Sequence, residues 1–119
     1  HQPSIPNSKP VIAFSYFYDR LVPLGISSPF TIDDIEKAGR ALCAHPYNSG
    51  STEWAKLQEN PQWCLDLVYT HTLLAYGYGF TTGNLITTTK RINGFEAGWA
   101  LGSALQIVEL SAKAKCPQN

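Results

Sequence analysis

The chain has 119 residues and a formal net charge of zero, and only 15% of its residues are charged. This composition argues against a nucleic-acid binder and against a membrane-surface protein, because both concentrate lysine and arginine on one face. No apolar run approaches the roughly 20 residues that a membrane-spanning helix needs. The length is that of one domain that buries about two-thirds of its unfolded surface.

The start of the sequence shows neither an initiator methionine nor a signal-peptide pattern. Since methionine is absent throughout, we expect a processed chain or a piece of a longer one. Residues 1–10 carry prolines among polar residues, which predicts an extended connector without a core of its own. We expect the folded part over residues 11–114 and a short polar tail over residues 115–119.

The first predicted element is a strand over residues 11–18, which are mostly aromatic, branched or small and apolar. A run that is apolar on both faces is typical of a buried strand at the centre of a sheet. Prolines and a glycine in residues 21–30 then predict a loop.

Two helices are predicted after this loop. Thr31 and the acidic residues behind it predict the N-terminus of the first helix, and His45-Pro46 predicts its end. Ser51 or Thr52 is expected to cap the second, shorter helix. The buried face of the first helix is predicted from an apolar stripe at helical spacing, made of Ile32, Ile35, Ala38, Leu42 and Cys43.

A third predicted helix runs from Pro61, a residue type common at the first helical position, to about Tyr76. It is apolar nearly all round, which is typical of a helix buried inside something larger. Asp66 lies within it, and a buried acid needs a partner. Thr70, one turn further on, is the expected partner, and Gly77 is expected to end the helix.

The last elements are less regular. Residues 85–92 predict a short edge strand or an extended arm. The stretch 94–102 then opens a helix that is predicted to continue to about Ala114, with Asn93 as its N-cap and Glu96 as the capping-box partner.

Small residues line one face of the first two turns of this predicted helix. Gly98 and Gly102 each cost roughly 1 kcal/mol relative to alanine inside a helix, so they need a reason. Either the helix packs tightly on a sheet, or another backbone or a ligand approaches closely.

The three cysteines, Cys43, Cys64 and Cys116, leave one unpaired if two are joined. A bridge between Cys43 and Cys64 would close a loop of about twenty residues, stabilise the fold by roughly 3 kcal/mol and imply an oxidising compartment. Two buried thiols explain the first two cysteines equally well at this point. Cys116 lies in the polar tail and is either free or bridged to another chain.

The sequence contains no complete active site. His1, His45 and His71 do not have the spacing of metal ligands with cysteine or acidic neighbours. A serine-centred elbow, a C-x-x-C pair and a phosphate-binding G-x-x-x-x-G-K-[ST] loop are also absent. The residues alone therefore predict a soluble, aromatic-rich α/β piece with no complete active site.

Three blocks, in this order and at these spacings, resemble a known family. They are Phe14-Ser15-Tyr16-Phe17-Tyr18-Asp19-Arg20, Trp63-Cys64-Leu65-Asp66-Leu67 and Gly94-Phe95-Glu96-Ala97-Gly98-Trp99-Ala100-Leu101-Gly102. Together they resemble the C-terminal part of the apyrase / nucleoside diphosphatase family, which includes guanosine diphosphatases and ecto-ATPases and removes terminal phosphates from nucleoside di- and triphosphates. The resemblance runs from about Pro10 to the end, and its first two blocks look closest to the lumenal GDP/UDP diphosphatases.

The resemblance implies an α/β, two-lobed fold of the actin/hexokinase (ribonuclease H-like) type that binds nucleotide between its lobes. Residues 11–114 would form the C-terminal portion of one lobe, mostly helices packed on a few strands. Members use a divalent cation, calcium or magnesium, and a glutamate that activates water. The family's glutamate and its two Asp-x-Gly phosphate loops precede everything present here, so we expect the cation to be bound elsewhere and this chain alone to be inactive.

The resemblance also implies roles for particular residues. Two aromatic side chains clamp the nucleobase in the family, and Trp63 occupies one of these positions. Asp19 occupies the other, where an aromatic is usual; either Tyr18 replaces it, or Asp19 reads a base edge by accepting hydrogen bonds. The alternative for Trp63 is a residue that caps the core at a helix start.

In the last block, the resemblance implies support of the nucleotide site rather than contact with the ligand. Gly98 would let the helix approach the sheet of the lobe, and Trp99 would fill space beneath the nucleotide. Glu96 stands where an aspartate is commonest.

The family pairs two cysteines that match Cys43 and Cys64, which implies a disulfide here and a location in the Golgi lumen or outside the cell. The expected partners are a nucleoside di- or triphosphate and the N-terminal remainder of the enzyme as a separate chain, with Cys116 as one way to join the two. The alternatives are a non-catalytic nucleotide-binding module and a purely structural domain stabilised by a disulfide.

Overall fold

The computed structural model describes residues 9–44, 50–96 and 98–115, with the side chains up to residue 112. The chain divides into two compact units, residues 1–89 and 90–119. The first unit contains β1 (Val11–Phe14), α1 (Tyr16–Leu21), α2 (Ile32–Cys43), α3 (Thr52–Glu59), α4 (Trp63–Thr72), a π-helical turn (Leu73–Gly77) and β2 (Ile86–Thr89). The second contains β3 (Arg91–Ile92), β4 (Phe95–Glu96) and α5 (Trp99–Lys115). The predicted α/β class is confirmed, and helices predominate as expected.

The predicted strand over residues 11–18 is only half correct. β1 ends at Phe14 and pairs in parallel with β2, with Val11 opposite Ile86. The rest of the run is helix α1, which follows a break at Ser15, where φ is +57°. The strand is not buried on both faces either, because the Ile12 side chain is 50% exposed. Periodicity alone does not separate a strand from a helical turn in so short an apolar run.

The first unit has its core where α2 and α4 pack against each other, and α1 packs against both α4 and the two-stranded sheet. Phe30 closes the other side of β2, since its backbone N–H and C=O both bond to Ile86, at 2.9 and 2.8 Å. The apolar side chains buried in this core are Ala13, Leu21, Ile26, Phe30, Ile32, Ile35, Leu42, Leu67, Leu74, Phe80 and Ile86. The core thus fixes α4 against α2 and sets the position of the residues at the start of α4.

The cap predicted for α2 is confirmed. Thr31 is the N-cap in an extended conformation, and α2 begins at Ile32. The Asp34 carboxylate accepts hydrogen bonds from the backbone N–H and the hydroxyl of Thr31, at 2.9 and 3.0 Å. These bonds lower the pKa of Asp34, the backbone bond being the main cause. The predicted stop at His45-Pro46 lies outside the described residues.

Helix α3 begins as predicted, because Ser51 is its N-cap and its side chain accepts from the Trp54 backbone N–H. Helix α4 begins at Trp63, two residues later than predicted, and Pro61 lies in the turn before it. The helical path ends at Gly77, as expected, after the π-helical turn.

The helix that is predicted to be buried inside something larger is covered on one side only within the described residues. Within Trp63–Thr72, only Leu67 and Thr70 are fully buried. Leu65, Val68 and Tyr69 are largely exposed. One row of side chains faces α2, and the other apolar rows are largely exposed among the described residues. Soluble monomers rarely leave so much contiguous apolar surface bare.

The second unit begins with a hairpin instead of a helix cap. Asn93 and Gly94 have φ of +51° and +84° and connect the antiparallel strands β3 and β4. Asn-Gly is the preferred pair for such a turn, since both central residues need a positive φ. Glu96 therefore lies in β4 and does not cap a helix, and α5 begins only at Trp99.

The close approach predicted at the two glycines stays a prediction. A Cβ built at Gly98 or at Gly102 would meet no described atom within 4 Å. The Trp99 side chain is 77% exposed. Other apolar residues of α5 are also exposed by more than half: Leu101, Leu105, Ile107, Val108 and Leu110. In the part of the chain that the structure describes, no helix is long and apolar enough to cross a membrane.

Candidate functional site

The residues predicted to clamp a nucleobase lie on two neighbouring helices of the first unit. Tyr18 and Asp19 are on α1, and Trp63 is the first residue of α4. The two helices pack against each other. Trp63 and Tyr18 are half-buried, whereas Asp19 is exposed. The fold therefore packs the two helices that carry these residues together, and the α1 side chain that contacts the Trp63 ring is Arg20.

An ion pair connects these two helices. Nη1 of Arg20 lies 3.4 Å from Oδ2 of Asp66, and the side chains are 33% and 15% exposed. Asp66 also accepts a hydrogen bond from the Tyr16 hydroxyl, at 3.4 Å. The prediction that Thr70 is the partner of Asp66 is therefore wrong. The Thr70 hydroxyl makes no hydrogen bond that meets the distance and angle limits among the described residues.

The Arg20 guanidinium also contacts aromatic rings from both helices. Its Cζ lies 5.3 Å from the ring centroid of Tyr16 and 5.7 Å from that of Trp63. Both distances are within the range of a cation–π interaction. Arg20 is thus the residue of α1 whose side chain contacts the Trp63 ring.

The Tyr16 ring is the centre of a small aromatic group. It meets Phe17 and Tyr69 edge to face, with centroid distances of 5.9 and 6.1 Å. Burial raises the pKa of Tyr16, and the nearby charge of Asp66 adds to the rise. The phenol therefore stays protonated at neutral pH and donates a hydrogen bond to the Asp66 carboxylate.

Sequence reasoning missed Arg20 and Tyr16 as parts of this site. Their spacing of four residues places both on one face of a helix, but residues 16–18 were assigned to a strand, where this spacing has no such meaning. Asp66 was identified as an acid in need of a partner, and a partner from another helix is not visible in a single sequence.

The residues predicted to support the site, Glu96, Gly98 and Trp99, belong to the second unit. Glu96 lies in β4, Gly98 precedes α5, and Trp99 is the first residue of α5. All three are exposed. Their predicted supporting role stays a prediction.

The structure joins Cys43 and Cys64 in a disulfide with a Cα–Cα distance of 5.2 Å. This is the pairing that the resemblance implies. The bridge ties the end of α2 to the second residue of α4, directly beside Trp63. Cys116 lies outside the described residues.

Neither a metal site nor a nucleophilic triad is apparent in the described residues. Over residues 9–44, 50–96 and 98–115, no three histidine, cysteine or acidic side chains come together as metal ligands. His71 is half-buried beside Val68 and Tyr76 in a shallow groove between α2 and α4. What the α1–α4 site offers chemically is a flat aromatic surface next to a guanidinium, which suits stacking rather than bond cleavage.

Comparisons with known proteins agree over nearly the whole chain. The profile of the GDA1/CD39 (nucleoside phosphatase) family matches residues 1–117. A guanosine-diphosphatase of Schizosaccharomyces pombe is 36% identical over 91% of this chain and 21% of its own length. Ectonucleoside triphosphate diphosphohydrolase 5 of Mus musculus is 34% identical over 92% of this chain and 25% of its own length. The chain thus spans about a fifth to a quarter of the length of these relatives.

Proposed function

The chain belongs to the GDA1/CD39 (nucleoside phosphatase) family, and from this premise we propose that it is the C-terminal part of a nucleoside diphosphatase. The enzyme converts GDP or UDP into the nucleoside monophosphate and phosphate. The observation that carries the proposal is the match of 91% of the chain to a relative named guanosine-diphosphatase. We call the chain together with the N-terminal part of such an enzyme the complete protein.

Two observations support the view that this chain is one part of a larger enzyme. The chain spans only about a fifth of the length of the fungal relative. Several large apolar side chains are also exposed, among them Leu65, Tyr76 and Phe95, and exposed apolar surface of this extent usually marks an interaction site. The N-terminal part, as a separate chain held by packing or through Cys116, is the proposed partner.

The proposed role of this chain is to bind the nucleobase. Trp63 stacks on one face of the base, and Tyr18 stacks on the other face or Asp19 accepts hydrogen bonds from its edge. The packing of α1 on α4 supports this role, because it brings the two segments together. Glu96, Gly98 and Trp99 support the nucleotide site without touching the base.

The chemical step belongs to the N-terminal part. Water attacks the terminal phosphorus, the bond from that phosphorus to the bridging oxygen breaks, and the nucleoside monophosphate leaves with that oxygen. A glutamate would take the proton of the attacking water, and a divalent cation, calcium or magnesium, would supply positive charge beside the phosphates. We assign no catalytic residue and no metal ligand to this chain.

The disulfide between Cys43 and Cys64 supports a location in an oxidising compartment. The proposed location is therefore the secretory pathway, either the Golgi lumen or outside the cell.

The proposal is tested by phosphate release from GDP, UDP, ADP and GTP by the complete protein, with calcium or magnesium added. We expect release from GDP or UDP that stops when the cation is chelated. Nucleotide binding without release of phosphate would contradict the enzyme and indicate a non-catalytic binding module. If the complete protein neither binds nucleotide nor releases phosphate, the result would indicate a structural domain stabilised by its disulfide.

A further inference from the structure

The ion pair between Arg20 and Asp66 closes a four-residue cluster in the first unit. Tyr16 and Arg20 are one turn apart on α1, and Trp63 and Asp66 are one turn apart on α4. The Asp66 side chain is only 15% exposed. A carboxylate buried to this degree requires a positive or hydrogen-bonding partner, and the two residues of α1 supply both kinds.

Arg20 is held in place from two sides. Nη1 of Arg20 lies 3.4 Å from Oδ2 of Asp66, an ion pair that is not a hydrogen bond among the described residues. The Tyr16 ring lies 5.3 Å from the guanidinium carbon, and the Tyr16 hydroxyl is in turn bonded to Asp66. A planar guanidinium that is paired with a carboxylate and packed on a ring has little rotational freedom left. Arg20 is therefore a fixed point on α1.

Trp63 contacts both the core and Arg20. It starts α4, and the residue before it, Gln62, makes no side-chain hydrogen bond that caps the helix. Part of the Trp63 side chain packs on the core. The Arg20 guanidinium lies 5.7 Å from its ring centroid, so Arg20 restricts the ring from the side of α1.

We propose that Arg20 is a positioning residue for the nucleobase: paired with Asp66, its guanidinium holds the Trp63 ring in the orientation in which the base stacks. This inference rests on the proposed function. Arg20 acts on the base through Trp63 and has no part in the attack on phosphate. Its loss therefore weakens binding of the base and leaves the chemical step intact.

A purely structural ion pair would behave differently. Breaking it would lower stability, and any effect on activity would be the same for every substrate. A positioning role affects only substrates that carry a base. Ribose 5-diphosphate has the sugar and both phosphates of the substrate without the base, so it separates the two roles.

The test measures KM and kcat of the complete protein for GDP and for ribose 5-diphosphate, with variants Arg20→Gln and Arg20→Lys. Arg20→Gln is expected to raise KM for GDP about threefold to tenfold, the size of a partly desolvated cation–π contact, without changing kcat. KM for ribose 5-diphosphate should not change. Arg20→Lys keeps a charge beside Asp66 but not the flat surface, so it should keep wild-type thermal stability and an elevated KM for GDP.

The matched control is Arg40→Gln on α2. Arg40 pairs with Glu36 at 2.6 Å and is 79% exposed, so its substitution removes an arginine and an ion pair without touching the cluster. It should leave both KM values unchanged. If Arg20→Gln does not accumulate as folded protein, Arg20→Lys decides the question.

The outcomes separate this inference from the proposed function. Equal changes in KM for both substrates, or no change for GDP while Trp63→Ala raises that KM, would overturn the positioning role alone. A wild-type complete protein that releases no phosphate from GDP would overturn the proposed function and this inference with it.

Discussion

Replacing Trp63 by alanine in the complete protein should raise KM for GDP about 5-fold to 150-fold. This range is the effect of losing one aromatic–base stack of 1–3 kcal/mol. The reason is that Trp63 is the largest flat surface where α1 and α4 meet, and it is half-buried, so part of the ring stays open. Steady-state kinetics with GDP and with ribose 5-diphosphate measure the effect, and only GDP should respond.

Trp54→Ala is the control for this substitution. Trp54 lies on α3 and is also half-buried, so it matches Trp63 in residue type and burial but not in position. Its loss should leave KM for GDP unchanged. An unchanged KM in the Trp63 variant would show that this ring only caps the core, and a thermal unfolding curve for each variant checks that the folded state is intact.

Removing the disulfide should cause the largest loss of stability of any change considered. The bridge joins residues 21 apart in sequence, and a closed loop of this length stabilises by about 3 kcal/mol on the chain-entropy estimate. Cys43→Ser combined with Cys64→Ser should therefore loosen α2 and α4 together. Hydrogen exchange of the backbone amides of these helices, measured in the complete protein against urea, reports the change in free energy of opening.

Cys116→Ser is the matched control where packing holds the two parts together, since it replaces a cysteine without breaking the Cys43–Cys64 bridge. Exchange in α2 and α4 should not change in this variant. Free energies of opening in the double variant that stay within about 0.5 kcal/mol of the wild type would contradict a stabilising role for the bridge. This is the range of an ordinary surface substitution.

Helices with local start signals were predictable from the sequence. Thr31 and Ser51 both cap helices where expected, because a capping side chain bonds to backbone within three residues and needs no tertiary contact. The end of the helical path at Gly77 was predictable for the same kind of reason. These features lie within single turns of the chain.

Elements whose conformation depends on distant contacts were not predictable. The turn at Ser15 and the short helix α1 depend on α4, which supplies Asp66 as the partner of both Tyr16 and Arg20. The exposed face of α4 was missed because a composition that suits complete burial does not say whether the covering part belongs to the same chain.

The hairpin at Asn93-Gly94 was within reach of sequence reasoning. Asn-Gly between short extended segments is the strongest local signal for a tight hairpin, and it competed with the weaker signal of a capping box that ends at Glu96. The resemblance implies a base-binding role for Trp63 and for Tyr18 or Asp19, and that role stays a prediction. Arg20, which connects them, became visible only in three dimensions.

The central claim is that this chain forms the base-binding side of a nucleoside diphosphatase whose reactive groups lie in its N-terminal part. The most direct test is phosphate release from GDP, measured for the complete protein and for this chain alone under the same conditions with calcium or magnesium. We expect release by the complete protein and none by the isolated chain. Metal-dependent release of phosphate from GDP by the isolated chain would contradict the claim.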